Sequence, residues 1–212
     1  MDLRNKRVLI TAGPTWVALD EARVISNTAT GETGIVLAEK LRVQGARVTL
    51  VLGPTAIGLK DSKIRVVRFR FFDELKNIVV SELALRRYDV VIHASAVADY
   101  RPLKKRKNKI RSGLKVWNLA LIPTVKIIDR IKKAAPQALL AGFKFEPRMG
   151  RKELVREAEK LAARSKAEIV VANTHNKNGY EAFVVYKGKI RGPVFNKTKL
   201  AETLLNVLRE EI

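Results

Sequence analysis

The segment RVLITAGPT, residues 7–15, joins an apolar, β-branched run to a turn made of small residues, glycine and proline. This combination is typical of a buried strand that ends where the turn begins, near Thr11. Residues 34–44 then show apolar side chains on one helical face, with Gly45 directly after them. The order of strand, turn and helix predicts the first unit of an α/β fold.

The same alternation continues along the chain. Apolar runs predict further strands at 47–52, 64–69, 89–93, 138–143 and 168–172, and helical patterns occupy 73–85, 123–133, 151–164 and 197–211. A hairpin is predicted at 181–191. We therefore expect a single domain over residues 1–212 with a Rossmann-like three-layer sandwich, in which a mostly parallel sheet has helices on both faces.

The net charge of the chain is unusually positive. Its 212 residues include 42 Lys+Arg and 21 Asp+Glu, which gives a formal net charge of +21. Residues 101–115 contain eight of the basic residues and no acidic one. Two interpretations stay open at this point: a surface that binds phosphate, as in nucleic-acid recognition, and a basic surface suited to solubility or heat.

Three absences in the sequence exclude classes of function and location. The chain has no cysteine, which excludes disulfides, thiolate metal sites, iron–sulfur clusters and a cysteine nucleophile. Its longest apolar run, residues 89–98, is much shorter than the ~20 residues that a membrane span needs. The first residues enter a strand-like run without a signal-peptide pattern, so we expect a soluble, cytoplasmic protein with no membrane partner.

The connection after the first strand is long. It separates Ile10 from Gly34 by 23 residues, whereas a connection of this type usually needs about 2–6. Hydroxyl residues and glycines, among them Gly13 and Thr15, lead into the start of the helix. Such a segment can form an anion cradle at a helix N-terminus, and the alternative is an ordinary solvated loop. Neither G-x-G-x-x-G nor G-x-x-x-x-G-K-[ST] occurs here.

The predicted central strand ends at His93, which we interpret as a strand residue with its hydrogen bonds satisfied. Small residues follow at 94–98, and they allow a planar ligand to approach the backbone. Asp99 then offers a carboxylate for a ribose hydroxyl, a base or a metal ion, and Lys109 stands ten residues later. Because ligands bind at the carboxyl ends of parallel strands, both strand ends are candidate site segments.

These segments resemble one known family. The matching blocks are TAGPT (11–15), LD (19–20) with Arg23, ISN (25–27), Gly31 with Gly34, AVADYRP (96–102), KIR (109–111), GF (142–143) with Glu146, KL (160–161) and VAN (171–173). In this order and spacing they are similar to the phosphopantothenoylcysteine synthetases of coenzyme A biosynthesis.

The resemblance implies a ligase that joins 4′-phosphopantothenate to L-cysteine. It implies CTP, in preference to ATP, as co-substrate with Mg²⁺, and an acyl-cytidylate intermediate that releases pyrophosphate and then CMP. Family members are homodimers with a flap, here at about 100–117. Many are fused to a flavin-dependent decarboxylase, which has no counterpart in these residues, so we expect no FMN. Whether a separate decarboxylase docks on the chain stays open.

The resemblance also suggests individual roles. Asn27 would hydrogen-bond the acyl-nucleotide intermediate, Arg23 a phosphate or the substrate carboxylate, and Lys109 the β- and γ-phosphates. Asp99 would contact the nucleotide or its Mg²⁺. The predicted nucleotide site further includes Gly13, Thr15, Ala94, Ser95, Pro123, Thr124, Val125, Phe143, Lys160 and Arg164. For Lys160 and Arg164, a solvated helix face is the alternative.

Three positions depart from the family pattern, and they leave the base preference open. The usual Asn-Pro-Asp-Ile is IPTV at 122–125, Gly-Phe-Ala-Ala-Glu is GFKFE at 142–146, and Glu32 replaces a common lysine. Two other functions are alternatives to the ligase. A nucleic-acid-binding protein using 101–115 would lack interleaved aromatic residues there. An NAD(P)-dependent reductase would lack the glycine fingerprint.

Overall fold

The computed structural model describes residues 3–104, 108–177 and 179–212. Three residues of the basic segment, Lys105, Arg106 and Lys107, lie outside the described residues, as does Asn178.

Strands and helices alternate as the sequence pattern predicts. Within the described residues the strands are β1 (Arg7–Ala12), β2 (Trp16–Ala18), β3 (Val24–Ser26), β4 (Arg47–Leu52), β5 (Arg65–Arg68), β6 (Val90–His93), β7 (Tyr100–Pro102), β8 (Leu121–Pro123), β9 (Leu139–Phe145), β10 (Ile169–Asn176), β11 (Gly179–Tyr186) and β12 (Lys189–Val194). The helices are α1 (Glu32–Val43), α2 (Phe72–Leu85), α3 (Ile128–Ala134), α4 (Arg151–Ser165) and α5 (Lys197–Glu211).

The main sheet has the strand order β12-β11-β10-β9-β6-β1-β4-β5. The pairs from β10 to β5 are parallel, and β11 and β12 add an antiparallel hairpin at one edge. From β1 the chain first builds outward through β4 and β5, and it then crosses to β6 on the other side. The strand order therefore reverses between β1 and β6, and open α/β sheets bind ligands at the carboxyl ends of the strands beside such a reversal. We call the region between the loops that follow β1 and β6 the crevice.

Alternating side chains of β1 supply the two cores. Val8 and Ile10 pack on one face of the sheet with α1 and α5, and Leu9 packs on the other face with α2, α3 and α4. Each fully buried leucine or isoleucine contributes roughly 1.5–3 kcal/mol through burial. The predicted α/β sandwich with a mostly parallel sheet, helices on both faces and a small hairpin is confirmed.

One sequence prediction about local structure was wrong. The helix predicted at 123–133 begins only at Ile128, because Pro123 lies in β8 and pairs with Tyr100 of β7. The hydroxyl of Thr124 donates to the carbonyl of Ala98 at 2.7 Å, which keeps this segment extended. The long connection after β1 contains an antiparallel hairpin formed by β2 and β3, which the sequence pattern did not predict.

In the part of the chain that the structure describes, none of the helices is both long and apolar enough to cross a bilayer.

Candidate active site

The floor of the crevice consists of two loops joined by backbone hydrogen bonds. The N–H of Ala96 donates to the carbonyl of Gly13 at 3.0 Å, and the N–H of Thr15 donates to the carbonyl of Ala96 at 3.1 Å. The hydroxyl of Thr15 accepts from the N–H of Ala98 at 2.9 Å. The segment after β1 and the segment after β6 therefore form one continuous surface.

His93 supports this floor from below. Its Nδ1 lies 2.8 Å from the hydroxyl oxygen of Thr11, and that oxygen also accepts from the N–H of Ser95 at 3.3 Å. Burial lowers the pKa of His93 to about 4, so the imidazole is neutral near pH 7. The interpretation of His93 as a satisfied strand residue is confirmed.

Glycines allow α1 to start directly against the end of β1. A Cβ on Gly34 would lie 2.3 Å from the Cβ of Ala12, which is closer than any real contact. Gly13 has a φ of +84°, and a Cβ there would meet the backbone of Gly53 at 3.2 Å. Gly31 precedes the helix with a φ of +79°. The positive end of the α1 dipole therefore lies at the carboxyl edge of the sheet.

Asn27 follows the β2–β3 hairpin and reaches the crevice floor. Its side-chain amide donates to the carbonyl of Ala96 at 3.0 Å, while the residue stays exposed. The blocks ISN and AVADYRP, separated by about 70 residues in the sequence, are thus in direct contact at the topological switch point. Ala94 and Ser95 are half-buried in the loop after β6, and Gly13 and Thr15 are buried in the loop after β1.

Arg23 joins the β2–β3 hairpin to the flap. Its guanidinium forms an ion pair with Asp20 at 3.0 Å, donates to the carbonyl of Ile110 and lies over the Trp117 ring at 5.0 Å. Asp20 is buried and also accepts from the N–H of Ile110 at 3.1 Å. Burial opposes ionisation of Asp20, but the hydrogen bonds from Ile110, Ala22 and Arg23 outweigh it and lower its pKa.

We call the contacts of Asp20 and Arg23 with Ile110 the latch. Lys109 directly precedes Ile110 in the sequence. Both the N–H and the carbonyl of Ile110 are bound, so the backbone next to Lys109 is fixed above the hairpin. The Lys109 ammonium is exposed and forms no ion pair within the described ranges. The sequence pointed to Arg23 and Lys109 but not to Asp20 as the centre of the latch.

Asp99 and the 122–125 segment form the other side of the crevice. The N–H of Thr124 donates to the carbonyl of Asp99 at 2.8 Å, and Lys126 forms an ion pair with the Asp99 carboxylate. The sequence placed 123–126 beside the base and ribose, but it contained no signal for this ion pair across 27 residues. Among the residues described, no group of three His, Asp or Glu side chains could hold a metal ion.

The remaining predicted residues, Phe143, Lys160 and Arg164, lie on two different faces of the sheet. Phe143 is half-buried against the core that contains α1 and α5. On the opposite face of the sheet, Lys160 pairs with Glu157 at 2.5 Å and Arg164 pairs with Asp129 at 3.3 Å. Asp129 lies in the first turn of α3, directly after the segment with Pro123 and Val125. No hydrogen bond or ion pair in the described ranges connects Lys160 or Arg164 to Asn27.

Two charged residues that depart from the family pattern, Glu32 and Lys144, form ion pairs. Glu32 pairs with Lys197 of α5, and Lys144 pairs with Glu146 at 2.6 Å. Phe145 is exposed at the carboxyl end of β9. These local ion pairs compensate the charges that differ from the family pattern.

The fold and the loops after β1 and β6 define an α/β protein with a candidate ligand site at a topological switch point. Residues 3–211 match the family described as the DNA/pantothenate metabolism flavoprotein C-terminal domain, and the chain belongs to this family. The predicted family is thereby confirmed, and the nucleic-acid-binding and reductase alternatives are not favoured.

Known proteins of this family are similar along the whole chain. The coenzyme A biosynthesis bifunctional protein CoaBC of Thermococcus kodakarensis is 38% identical over 207 residues, which cover 95% of this chain and 50% of that protein. The chain thus spans about half the length of the curated relatives it matches. The crystal structure of the DNA/pantothenate metabolism flavoprotein from Streptococcus pneumoniae has a TM-score of 0.87 and 27% identity, and covers 98% of this chain and 100% of that one.

A more distant structure has the same fold. A Cab2 mutant in complex with phosphopantothenate-cysteine has a TM-score of 0.77 and 18% identity, with 99% of this chain and 90% of that chain covered.

Proposed function

We propose that the chain is a ligase that joins 4′-phosphopantothenate to L-cysteine, with CTP as the activating nucleotide. The observation that carries this proposal is the contact between Asn27 and Ala96 at the switch-point crevice, with Lys109 held above it by the Asp20–Arg23 latch. The relatives' role in coenzyme A biosynthesis and the phosphopantothenate-cysteine complex of Cab2 support the same substrates.

The proposed reaction needs no nucleophile from the protein. The pantothenate carboxylate oxygen attacks the α-phosphorus of CTP, and the bond to the bridging oxygen breaks to release pyrophosphate. The cysteine amine then attacks the acyl carbon, loses a proton and displaces CMP to leave an amide. A site without cysteine and with a neutral His93 suits this chemistry, because orientation and charge stabilisation are the main requirements.

In the proposed reaction, some residues bind the substrates and others position the binding residues. The amide of Asn27 would orient the acyl group over the Gly13–Ala96 floor. Lys109 would compensate the charge of the β- and γ-phosphates. Arg23, whose guanidinium is already bound by Asp20 and Ile110, would act by holding the flap that presents Lys109.

The nucleotide would lie along Ala94, Ser95 and Asp99, with Pro123, Thr124, Val125 and Phe143 beside the base and ribose. Lys160 and Arg164 would exchange their pairing with Glu157 and Asp129 for phosphate oxygens. When bound to the triphosphate, Mg²⁺ neutralises phosphate charge. Asp99 fits such an ion as a single carboxylate, provided that Lys126 releases it.

We further propose that the chain forms a homodimer through the flap face. Large apolar side chains are exposed along β7, β8 and the segment between them, namely Tyr100, Leu103, Leu114, Val116, Leu119 and Leu121. Val116 alone is 71% exposed. A patch of this kind is characteristic of an interaction surface. Sedimentation equilibrium should give twice the chain mass, and a monomer at all concentrations would contradict the dimer.

The ligase proposal is tested by pyrophosphate release. The chain is incubated with 4′-phosphopantothenate, Mg²⁺ and CTP or ATP in turn, with and without L-cysteine. We expect release that needs phosphopantothenate and is faster with CTP, and amide product only when cysteine is present. Absence of pyrophosphate with every nucleotide at high enzyme concentration would contradict the proposal.

A further inference from the structure

The amino edge of the sheet, opposite to the candidate active site, contains a cavity. It is an open cleft of about 530 Å³ between the starts of β1, β4 and β5 and the ends of α1 and α2. Six cationic side chains line this amino-edge cleft, namely Arg7, Arg42, Arg47, Lys63, Arg65 and Arg86.

Three of these cations have local explanations. Arg65 binds Glu82 through both guanidinium nitrogens, at 2.8 and 2.9 Å, and Arg86 lies 3.6 Å from the same carboxylate. Arg42 lies in the last turn of α1, where the helix dipole favours a cation. Its guanidinium is 3.9 Å from the carboxylate of Asp61.

Glu82 belongs to a closed network behind the cleft. The hydroxyl of Tyr88 donates to Glu82 at 2.6 Å and lies 3.2 Å from the hydroxyl of Thr49. Burial opposes ionisation of Glu82, but the hydrogen bonds from Arg65 and Tyr88 outweigh it and lower its pKa. The carboxylate is therefore charged and already bound, and it does not compensate the other cations.

Arg7, Arg47 and Lys63 are the three cations without such an explanation. Within the residues that the structure describes, none of their side chains pairs with a carboxylate. The guanidinium of Arg7 lies over the Tyr88 ring at 5.8 Å, and that of Arg47 lies 3.5 Å from the amide oxygen of Asn5. The carboxylate of Asp89 accepts from the backbone N–H of Arg7 at 2.7 Å and offsets part of this charge. The cations of the cleft still outnumber the carboxylates around it, and like charges that a concave surface brings together favour a bound anion.

We propose that the amino-edge cleft binds a small anion that carries a di- or triphosphate group. Guanidinium groups match phosphate oxygens in pairs, and three cations without a carboxylate partner among the described residues suit a group with several negative charges better than a single carboxylate. The cleft volume lies within the usual range for small-ligand sites, about 300–1,000 Å³. The site does not depend on the ligase proposal, because it shares no residue with the crevice.

Binding of inorganic tripolyphosphate, measured by isothermal titration calorimetry at low salt, tests this site. All proteins carry Lys109→Gln, which weakens phosphate binding at the proposed active site. The cleft variant adds Arg47→Gln and Lys63→Gln, and the matched control adds Arg156→Gln and Lys133→Gln on exposed positions of α4 and α3. Both pairs remove one arginine and one lysine.

We expect the cleft variant to bind tripolyphosphate at least about tenfold more weakly, because charged hydrogen-bond donors are lost, while the control stays within about twofold. CTP is the second probe. An equal loss for both ligands identifies the phosphates as the recognised group, and a loss for CTP alone identifies a nucleotide site. Equal affinities of the two variants for both probes would overturn the proposal. Loss of short duplex DNA binding, without a change for either small anion, would overturn it in favour of nucleic acid.

Discussion

The two edges of the main sheet are built from different kinds of residue. At the carboxyl edge, glycine, alanine and threonine bring backbone segments together, and a charged flap is held above them through Arg23 and Asp20. At the amino edge, long basic side chains from scattered positions line a cleft with little backbone contribution. Net charge alone therefore does not locate the candidate active site, because cations without a carboxylate partner occur at both edges among the described residues.

The first prediction concerns the carboxyl edge, where the Asn27 side chain contacts the crevice floor. We predict that Asn27→Asp still releases pyrophosphate but forms amide product about 10²–10³-fold more slowly, because a donor to the acyl intermediate is replaced by a negative charge. Quenched-flow analysis should detect the trapped acyl nucleotide. Asn206→Asp, on the exposed face of α5, is the matched control. Wild-type turnover in Asn27→Asp would remove this residue from the mechanism.

The second prediction concerns the buried support of the crevice floor. Because burial lowers the pKa of His93 from 6.5 to about 4, the unfolded chain gains a proton that the folded chain does not. The free energy of unfolding should therefore fall by about 3 kcal/mol as the pH drops from about 6.5 to about 4. Urea denaturation of His93→Gln should lack this component. His175→Gln should keep it, and an equal pH dependence in both variants would contradict burial of His93.

The backbone packing of the carboxyl edge gives the third prediction. A methyl group on Gly34 would collide with Ala12, so Gly34→Ala should lower the free energy of unfolding by about 1–3 kcal/mol. Gly58→Ala is the control, since no atom lies within 4 Å of a Cβ placed there. Chemical denaturation of both variants distinguishes them. Equal stability would mean that α1 does not start against β1.

The smallest expected effect concerns the latch between hairpin and flap. A lysine cannot reproduce the contacts of Arg23 with Asp20, Ile110 and Trp117 together. Arg23→Lys should raise the KM for CTP about tenfold with a smaller change in kcat, because Lys109 is then less well positioned. The exposed Arg87→Lys should leave both constants unchanged. A fall in kcat alone would instead make Arg23 a group that acts in the transition state.

The carboxyl edge was largely predictable from the sequence, and the amino edge was not. Close approach of backbones demands small residues at fixed spacings, so the TAGPT and AVADYRP blocks are visible as motifs. The six cations of the amino-edge cleft come from four separate segments, and long side chains impose no spacing.

Contacts across long sequence distances account for the other gaps. Asp20 and Ile110 are 90 residues apart, so their hydrogen bond leaves no local pattern. Arg23 was therefore predicted to bind a phosphate or the substrate carboxylate. The ion pair of Asp99 with Lys126 was missed for the same reason. The error at 123–133 arose because apolar spacing favoured a helix, while Pro123 pairs with Tyr100 in a strand.

Isotope transfer tests the proposed acyl nucleotide most directly. 4′-Phosphopantothenate labelled with ¹⁸O in its carboxylate is converted to product with CTP, Mg²⁺ and L-cysteine, and the released nucleotide is analysed by mass spectrometry. If the carboxylate attacks the α-phosphorus at this crevice, CMP will carry one ¹⁸O atom and pyrophosphate will carry none. Label in inorganic phosphate together with CDP, or unlabelled CMP alongside labelled amide, would contradict the proposed reaction.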